Sequence, residues 1–306
     1  MDVLGDRVLD KQHIKSGTRK LFISIGGIRC AIISHDISFL DLLRVRYRWF
    51  ESSGPAAYEI LIRLVPIEDF TLENGRMPLY TLIKKVNSGH NYIIKQADKL
   101  FVAVANTSSR KVLIKMWKND DCFDSFLRML FTLILINERG LLLRASAISE
   151  NGRVSVFFGP SGSGKTTVAR LSTGRTVLSD EMVIIKPHNG GYRVYGTPFR
   201  GEFSPDQSNA RAPLGGLYLL KKDQMNSLIL LDKVQALSNL YQCVPFFDDD
   251  SQLQSRVLDT CRTLVDAIPV YELHFLPDPS FWQVLNGHSL EEGKQAYSDT
   301  RLRHAA

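Results

Sequence analysis

Cysteine is scarce. Four occur in 306 residues, at positions 30, 122, 243 and 261. None stands at C-x-x-C or metal-ligand spacing, which argues against a zinc ribbon, a dithiol redox pair and a disulfide-stapled scaffold. They are expected to be reduced, mostly buried thiols of a cytoplasmic protein. The seven histidines include no H-x-x-x-H pair, so no zinc-peptidase helix is expected. Long apolar runs are lacking as well. The most apolar stretch, Met129 to Ile136, is far shorter than the ~20 residues a bilayer requires, so it reads as a buried helix segment and no membrane partner is expected. The polar N-terminus carries no charged start followed by an apolar core, so no signal peptide is expected. Dense runs of one charge are also missing. The net charge of +6 is mildly basic and suits a binder of polyanionic nucleotides, without the packed lysine and arginine of a nucleic-acid arm. The tightest cluster, Arg44, Arg46 and Arg48, alternates as a solvated strand face would.

What remains is ordinary globular composition, with 44% hydrophobic and 23% charged residues. At roughly 100–200 residues per domain, the length fits two domains or one large one. Residues 1–118 read as β-rich. Phe22 to Ile33 alternates around Gly26-Gly27, a hairpin signal. Glu59 to Val65 and Asn91 to Lys95 read as strands, and Leu100 to Ala105 with Lys111 to Met116 as a second hairpin. A helix is expected near Phe39 to Arg46. Residues 119–306 form the second expected domain. A helix runs from Asp120 or Asp121 to about Glu138, closed by Gly140.

From Leu141 strands and helices alternate, which predicts an α/β core. The order is strand Leu141 to Ile148, turn Asn151-Gly152, strand Val154 to Phe158, a glycine loop, helix Lys165 to Leu171 and strand Thr176 to Leu178. A hairpin follows around Asn189-Gly190-Gly191, joining Met182 to Lys186 with Tyr192 to Tyr195. Further on come a strand at Leu217 to Leu220, helices near Val234 to Tyr241 and Leu253 to Asp266, a strand at Tyr271 to Phe275 and a helix from about Pro279.

One motif carries chemistry by itself. Gly159-Pro160-Ser161-Gly162-Ser163-Gly164-Lys165-Thr166 fits G-x-x-x-x-G-K-[ST], with Thr167 beside it. Glycines allow positive φ and let backbone N–H groups converge on phosphate oxygens. The helix that follows presents its positive end to them. Lys165 would reach the β and γ phosphates of ATP, and the Thr166 hydroxyl would bind Mg²⁺. Two weaker constellations follow. Ser179-Asp180-Glu181 ends a short apolar strand, where an acid could meet Mg²⁺ or the attacking hydroxyl. Gly196-Thr197-Pro198-Phe199-Arg200-Gly201-Glu202 is a tight loop with one cation and one acid. Arg200 could stabilise transferring phosphoryl charge and Glu202 could hold the metal.

In this order, over about Leu141 to Leu285 and together with Ala212-Pro213-Leu214, these segments resemble the C-terminal catalytic domain of the HPr kinase/phosphorylase family. They are especially similar to the divergent HPr-kinase-related proteins found beside peptide-modification genes, including lasso-peptide precursor kinases. The resemblance implies a P-loop fold akin to ATP-dependent phosphoenolpyruvate carboxykinases, a mixed sheet with helices. It implies that Asp180 accepts the proton of a substrate serine, with Glu181 the neighbouring acid and Glu202 a metal-associated one. The family's histidine on the strand before the loop is replaced by Arg144, which cannot shuttle protons, so phosphorolysis is not expected.

The expected function is therefore an ATP- and Mg²⁺-dependent kinase. Its acceptor is a hydroxyl, implied to be Ser or Thr of a protein or peptide, and Arg200 or Arg144 assists in neutralising the γ phosphoryl charge. A small-molecule hydroxyl fits the residues equally well. A nucleotide-sensing regulatory module is the reading from another class. No L-S-G-G-Q-like signature supports an ABC-type ATPase, and no arginine and histidine cluster supports a carboxykinase. The β-rich domain could capture a leader peptide or make a subunit interface, which leaves a homo-oligomer open.

Overall fold

The computed structural model describes residues 19–70, 81–86, 89–96, 98–201, 203, 208–245 and 250–287. These residues form two compact units. One holds the described residues up to Ile134 together with 250–254, and the other holds Leu135 to Pro245 and the residues from Ser255 onward. The expected border at 118/119 precedes a long helix; the observed border falls inside it.

The first unit is built on a seven-stranded sheet. In chain order its elements are β1 (Arg19–Ile25), β2 (Ile28–Ser34), α1 (Ile37–Arg46), β3 (Tyr58–Leu64), β4 (Thr81–Val86), β5 (Asn91–Gln96), β6 (Phe101–Asn106) and β7 (Lys111–Met116). The sheet order is β1-β2-β3-β7-β6-β5-β4. Gly26 and Gly27 take φ of 59° and 79°, the left-handed pair that a two-residue hairpin turn needs, and they join β1 to β2 as expected. Alternate residues of β6 and β7 face the core, so Phe101, Ala103, Val112 and Ile114 are buried while Lys111 and Lys115 face water. β4 was not anticipated from the sequence.

The arginine triplet behaves differently from the strand face expected of it. Arg44 and Arg46 lie on α1, where two residues turn about 200° around the axis, so they point to opposite sides. Arg44 is exposed and paired with Asp41. Arg46 is buried, and its Nη2 donates to Asp124 at 3.0 Å. Asp124 lies on α2 (Asp120–Asn137), and its carboxylate also accepts from the Tyr47 hydroxyl at 3.2 Å and from Arg128 Nε at 3.0 Å. Aromatic rings seal this network, with Phe123 edge-on to both Phe39 and Tyr47. Each such ring contributes roughly 1.5–3 kcal/mol by leaving water.

The second unit continues from the end of α2. Arg139 takes φ of 56° and the Gly140 N–H donates to the Leu135 carbonyl at 2.8 Å, closing the helix. The elements that follow are β8 (Leu141–Glu150), β9 (Arg153–Phe158), α3 (Lys165–Leu171), β10 (Thr176–Ser179), β11 (Met182–His188), β12 (Gly191–Tyr195), β13 (Arg211–Lys222), β14 (Ser227–Leu230), α4 (Lys233–Gln242), α5 (Ser251–Ala267), β15 (Val270–Phe275) and α6 (Phe281–Gly287). Both expected hairpin turns form, with positive φ at Asn151-Gly152 and Asn189-Gly190. β13 is longer than expected, and β14 was not anticipated.

β8 and β13 each pair with three strands. β8 pairs with β11 through residues 141–144 and with β9 through residues 145–150. β13 pairs with β12 through residues 211–213 and with β9 from Leu214 onward. The pairings β8-β11-β12-β13-β9 therefore close on themselves, with β10 added beside β8 and β15-β14 beside β13. The result is a mixed α/β sheet. β9, β13 and β15 run parallel, and β10 and β9 are both antiparallel to β8. The ends of β9, β10, β13 and β15 therefore share one edge. Beneath that edge Phe157, Tyr218, Tyr271, Phe275, Phe281 and Trp282 pack into one cluster. No helix among the described residues is long and apolar enough to cross a membrane.

Candidate functional site

The edge shared by these strands carries the motif residues. Phe158 ends β9, and the loop Gly159 to Gly164 leads into α3. Three glycines there require their missing side chain. Gly159, Gly162 and Gly164 take φ of 150°, 79° and 108°. A Cβ on Gly164 would lie 2.6 Å from Phe275 Cζ, and one on Gly159 2.8 Å from Ser163 Oγ. Strand β15 and the loop's own serine thus shape the turn.

Lys165 folds back over this loop. Its Nζ donates to the carbonyls of Gly159 and Pro160, both at 2.9 Å. Burial and the nearby Arg144 guanidinium lower its affinity for a proton, while Cys243 and Glu181 act the other way; burial dominates, so its pKa lies below the ordinary lysine value. Thr166 and Thr167 occupy the first turn of α3 and are half-buried. α3 has only seven residues, so the loop's backbone has more to offer a phosphate chain than the helix dipole.

A buried serine ties this loop to the acid pair. Ser146 on β8 is fully buried, and its hydroxyl lies 2.8 Å from the Lys165 carbonyl, to which it donates, and 3.3 Å from the Asp180 carbonyl. One hydroxyl therefore sets the spacing between the glycine loop and the end of β10. The Ala145 N–H donates to the Glu181 carbonyl at 3.0 Å, and Ser179 Oγ accepts from the amides of Glu181 and Met182.

A cavity of about 250 Å³ opens here, lined by Arg144, Gly159, Pro160, Ser161, Lys165, Glu181, Asn239, Gln242 and Cys243. Of the catalytic candidates, Lys165, Glu181 and Arg144 meet in it. Asp180 is not among its lining residues. Its side chain turns beneath the loop after β12, is 4% exposed, and accepts the Phe203 N–H at 2.8 Å. The Gly201 N–H donates to it as well; burial nevertheless raises its pKa above the usual carboxylate value, and Glu181 adds to the rise.

Arg200 is exposed on that same loop and does not line the cavity. Thr197 and Phe199 are buried beside it, with Thr197 Oγ1 donating to the Met182 carbonyl at 2.6 Å. The loop's hold on the sheet is thus structural. Glu202, the expected metal-associated acid, lies outside the described residues.

Three cavity residues escaped the sequence reading: Asn239, Gln242 and Cys243, at the end of α4. Cys243 was expected to be a buried thiol, and it is 4% exposed. Its sulfur also accepts the Gly159 N–H, and the cations of Lys165 and Arg144 act on it; burial outweighs all three and pushes the thiol pKa up. Spacing offered no signal for these residues, because the chain returns to the loop only through β14 and α4.

Among the described residues no group of three or more His, Cys, Asp or Glu side chains is placed to hold a metal ion. The Thr166 hydroxyl, in the first turn of α3, is an oxygen donor beside the loop. One such oxygen suits Mg²⁺, which keeps several waters and takes one or two protein oxygens alongside substrate phosphates.

A family model described as SynChlorMet cassette protein ScmC matches residues 112–290, more than half of the chain. The chain belongs to this family. The matched region takes in the glycine loop, the acid pair, the loop after β12 and all of the cavity wall. No curated protein matches the chain.

Proposed function

We propose that this chain is an ATP- and Mg²⁺-dependent kinase that transfers a γ-phosphoryl group to a hydroxyl, that of Ser or Thr in a protein or peptide. One observation carries the reading. The glycine loop with Lys165 opens on the same cavity as Glu181 and Arg144, with Ser146 fixing the loop against the acid pair. Two cations and a loop of backbone donors suit a polyphosphate, and the carboxylate suits a hydroxyl or a metal ion. The fold reading goes with it: a P-loop kinase unit of the HPr-kinase type that follows a β-rich unit along the chain. A family described as a cassette protein fits an acceptor encoded nearby.

In the proposed site the Thr166 hydroxyl would hold Mg²⁺, which would supply charge neutralisation on the phosphates. Lys165 would release the loop carbonyls and bind phosphate oxygens. Arg144, on the cavity wall, would stabilise the transferring group. A permanently charged guanidinium there favours forward transfer alone, and rapid pyrophosphate formation from phosphorylated product and inorganic phosphate would contradict this. The main test incubates the protein with γ-labelled ATP·Mg²⁺ and Ser/Thr peptides encoded beside it. Label is expected on a peptide hydroxyl. Absence of label across peptide and small-molecule panels would leave the sensor reading, which the burial of the Asp180 carboxylate also favours.

A further inference from the structure

Asp180 and Glu181 are neighbours in sequence but face different surroundings. They form the bend that joins β10 to β11. Here Asp180 goes under the loop and Glu181 goes to the cavity. Hydrogen bonds on both sides fix the peptide between them: the Asp180 carbonyl lies against Ser146 Oγ, the Glu181 carbonyl accepts from Ala145 N–H, and Ser179 Oγ accepts from Glu181 N–H.

We infer that Glu181, rather than Asp180, is the carboxylate that faces the acceptor hydroxyl, and that Asp180 serves to hold the loop after β12. This rests on the kinase reading above. Two observations carry it. Glu181 lines the cavity with Lys165, Arg144 and the start of the glycine loop, and Asp180 does not. Asp180 is also crowded out of reach of a substrate, because a Cβ placed on Gly201 would lie 2.5 Å from its Oδ2 and 3.0 Å from its Oδ1. Both carboxylate oxygens thus pack against the Gly201 backbone, and Oδ2 takes the Phe203 amide. Arg170 on α3 lies 5.7 Å from the centre of the Phe203 ring, which fastens the same loop to the helix after the glycine turn. The proximity of Glu181 is also felt at Lys165, whose proton affinity it raises.

In the step this assigns, the acceptor oxygen forms a bond to the γ phosphorus. The bond between that phosphorus and the oxygen bridging to the β phosphorus breaks. ADP leaves with the electron pair, and the acceptor proton passes to the Glu181 carboxylate. Water as acceptor follows the same balance and yields inorganic phosphate. Carboxylates are weak bases, so the first role of such a group is to orient the hydroxyl, with the proton arriving late.

The experiment uses the full chain with ATP·Mg²⁺ and the same peptide and small-molecule panels, reading affinity by calorimetry, turnover by label transfer and phosphate release, and folding by thermal melting. Glu181→Gln is expected to keep its melting temperature and to bind ATP within about tenfold, while turnover falls by about 10²–10⁴-fold. Asp180→Asn is expected to melt lower and, where folded, to keep turnover within about tenfold, since it leaves the cavity lining intact. Should Asp180→Asn fail to fold, Glu181→Gln decides alone. A Glu181→Gln protein with near wild-type turnover overturns the assignment, as does an Asp180→Asn protein that melts normally and has lost turnover. If the wild type binds ATP·Mg²⁺ without turnover, this assignment falls and the sensor reading stands. If it does not bind ATP·Mg²⁺ at all, the kinase reading itself has failed.

Discussion

Gly201 and Asp180 are packed so closely that the glycine has no room for a side chain: a Cβ there would fall 2.5 Å from Asp180 Oδ2. The contact joins the loop after β12 to the strand that ends beside the glycine loop. Gly201→Ala must therefore push the carboxylate away from the Phe203 amide or shift the loop. The expected cost is about 1–3 kcal/mol, the range for overpacking a tight site. Urea unfolding of the variant against wild type checks it, and an unchanged midpoint would show that the loop yields freely.

The buried network in the first unit should be sensitive to the loss of its anion. Asp124 accepts from Arg46, Tyr47 and Arg128, and the Asp124 and Arg46 side chains are 7% and 6% exposed. Asp124→Ala removes the carboxylate that accepts from Arg46, Tyr47 and Arg128, and breaking a buried pair of this kind costs roughly 3–5 kcal/mol in comparable sites. Denaturant titration of the variant is the measurement. A loss below about 1 kcal/mol, the value of a surface pair, would mean that Arg46 finds water or another partner.

His274 offers a pH signature away from the cavity. Its Nδ1 lies 2.6 Å from Asp223 and its Nε2 2.6 Å from Glu272, so both ring nitrogens donate when the imidazole is protonated. The Asp223 carboxylate first, and Glu272 with it, raise the pKa above the ordinary 6.5, against burial and the nearby Lys221 ammonium. A raised folded pKa gives stability that is complete below 6.5 and is lost as pH rises through the folded value. Wild-type stability should therefore decline across that interval, and His274→Gln should lack the decline. Urea midpoints measured on both proteins as pH rises from 6.5 test this, and parallel profiles would contradict it.

Much of this architecture was legible in the chain, and the exceptions have physical causes. The hairpins at Gly26-Gly27, Asn151-Gly152 and Asn189-Gly190 were readable because left-handed turn residues sit between alternating runs. The glycine loop and α3 were readable because the motif names its own flanking elements. The arginine triplet misled because alternation looks the same in sequence whether the backbone is extended or helical, and packing against Asp124 chose the helix. β4 and β14 owe their strand geometry to a neighbouring strand, β5 and β15, which single-segment patterns do not show. In the candidate site, Lys165 could be named from the motif and Glu181 only as the neighbour of Asp180, whereas Asn239, Gln242 and Cys243 at the end of α4 reach the cavity only through tertiary packing. Which of two adjacent acids faces the cavity depends on Ser146 and Gly201, both remote from the pair in sequence.

The central claim is that the loop from Gly159 to Thr166 binds ATP·Mg²⁺ through Lys165. Calorimetric titration of ATP·Mg²⁺ into wild type and Lys165→Ala tests it most directly. Lys165 caps its own loop by bonds to the Gly159 and Pro160 carbonyls, and these bonds are not part of the buried core, so the variant should remain folded by circular dichroism. Wild type is expected to bind, and the variant to lose at least about tenfold in affinity, or about 1.4 kcal/mol. Equal affinity in the two folded proteins, or no heat of binding in wild type, would contradict the account.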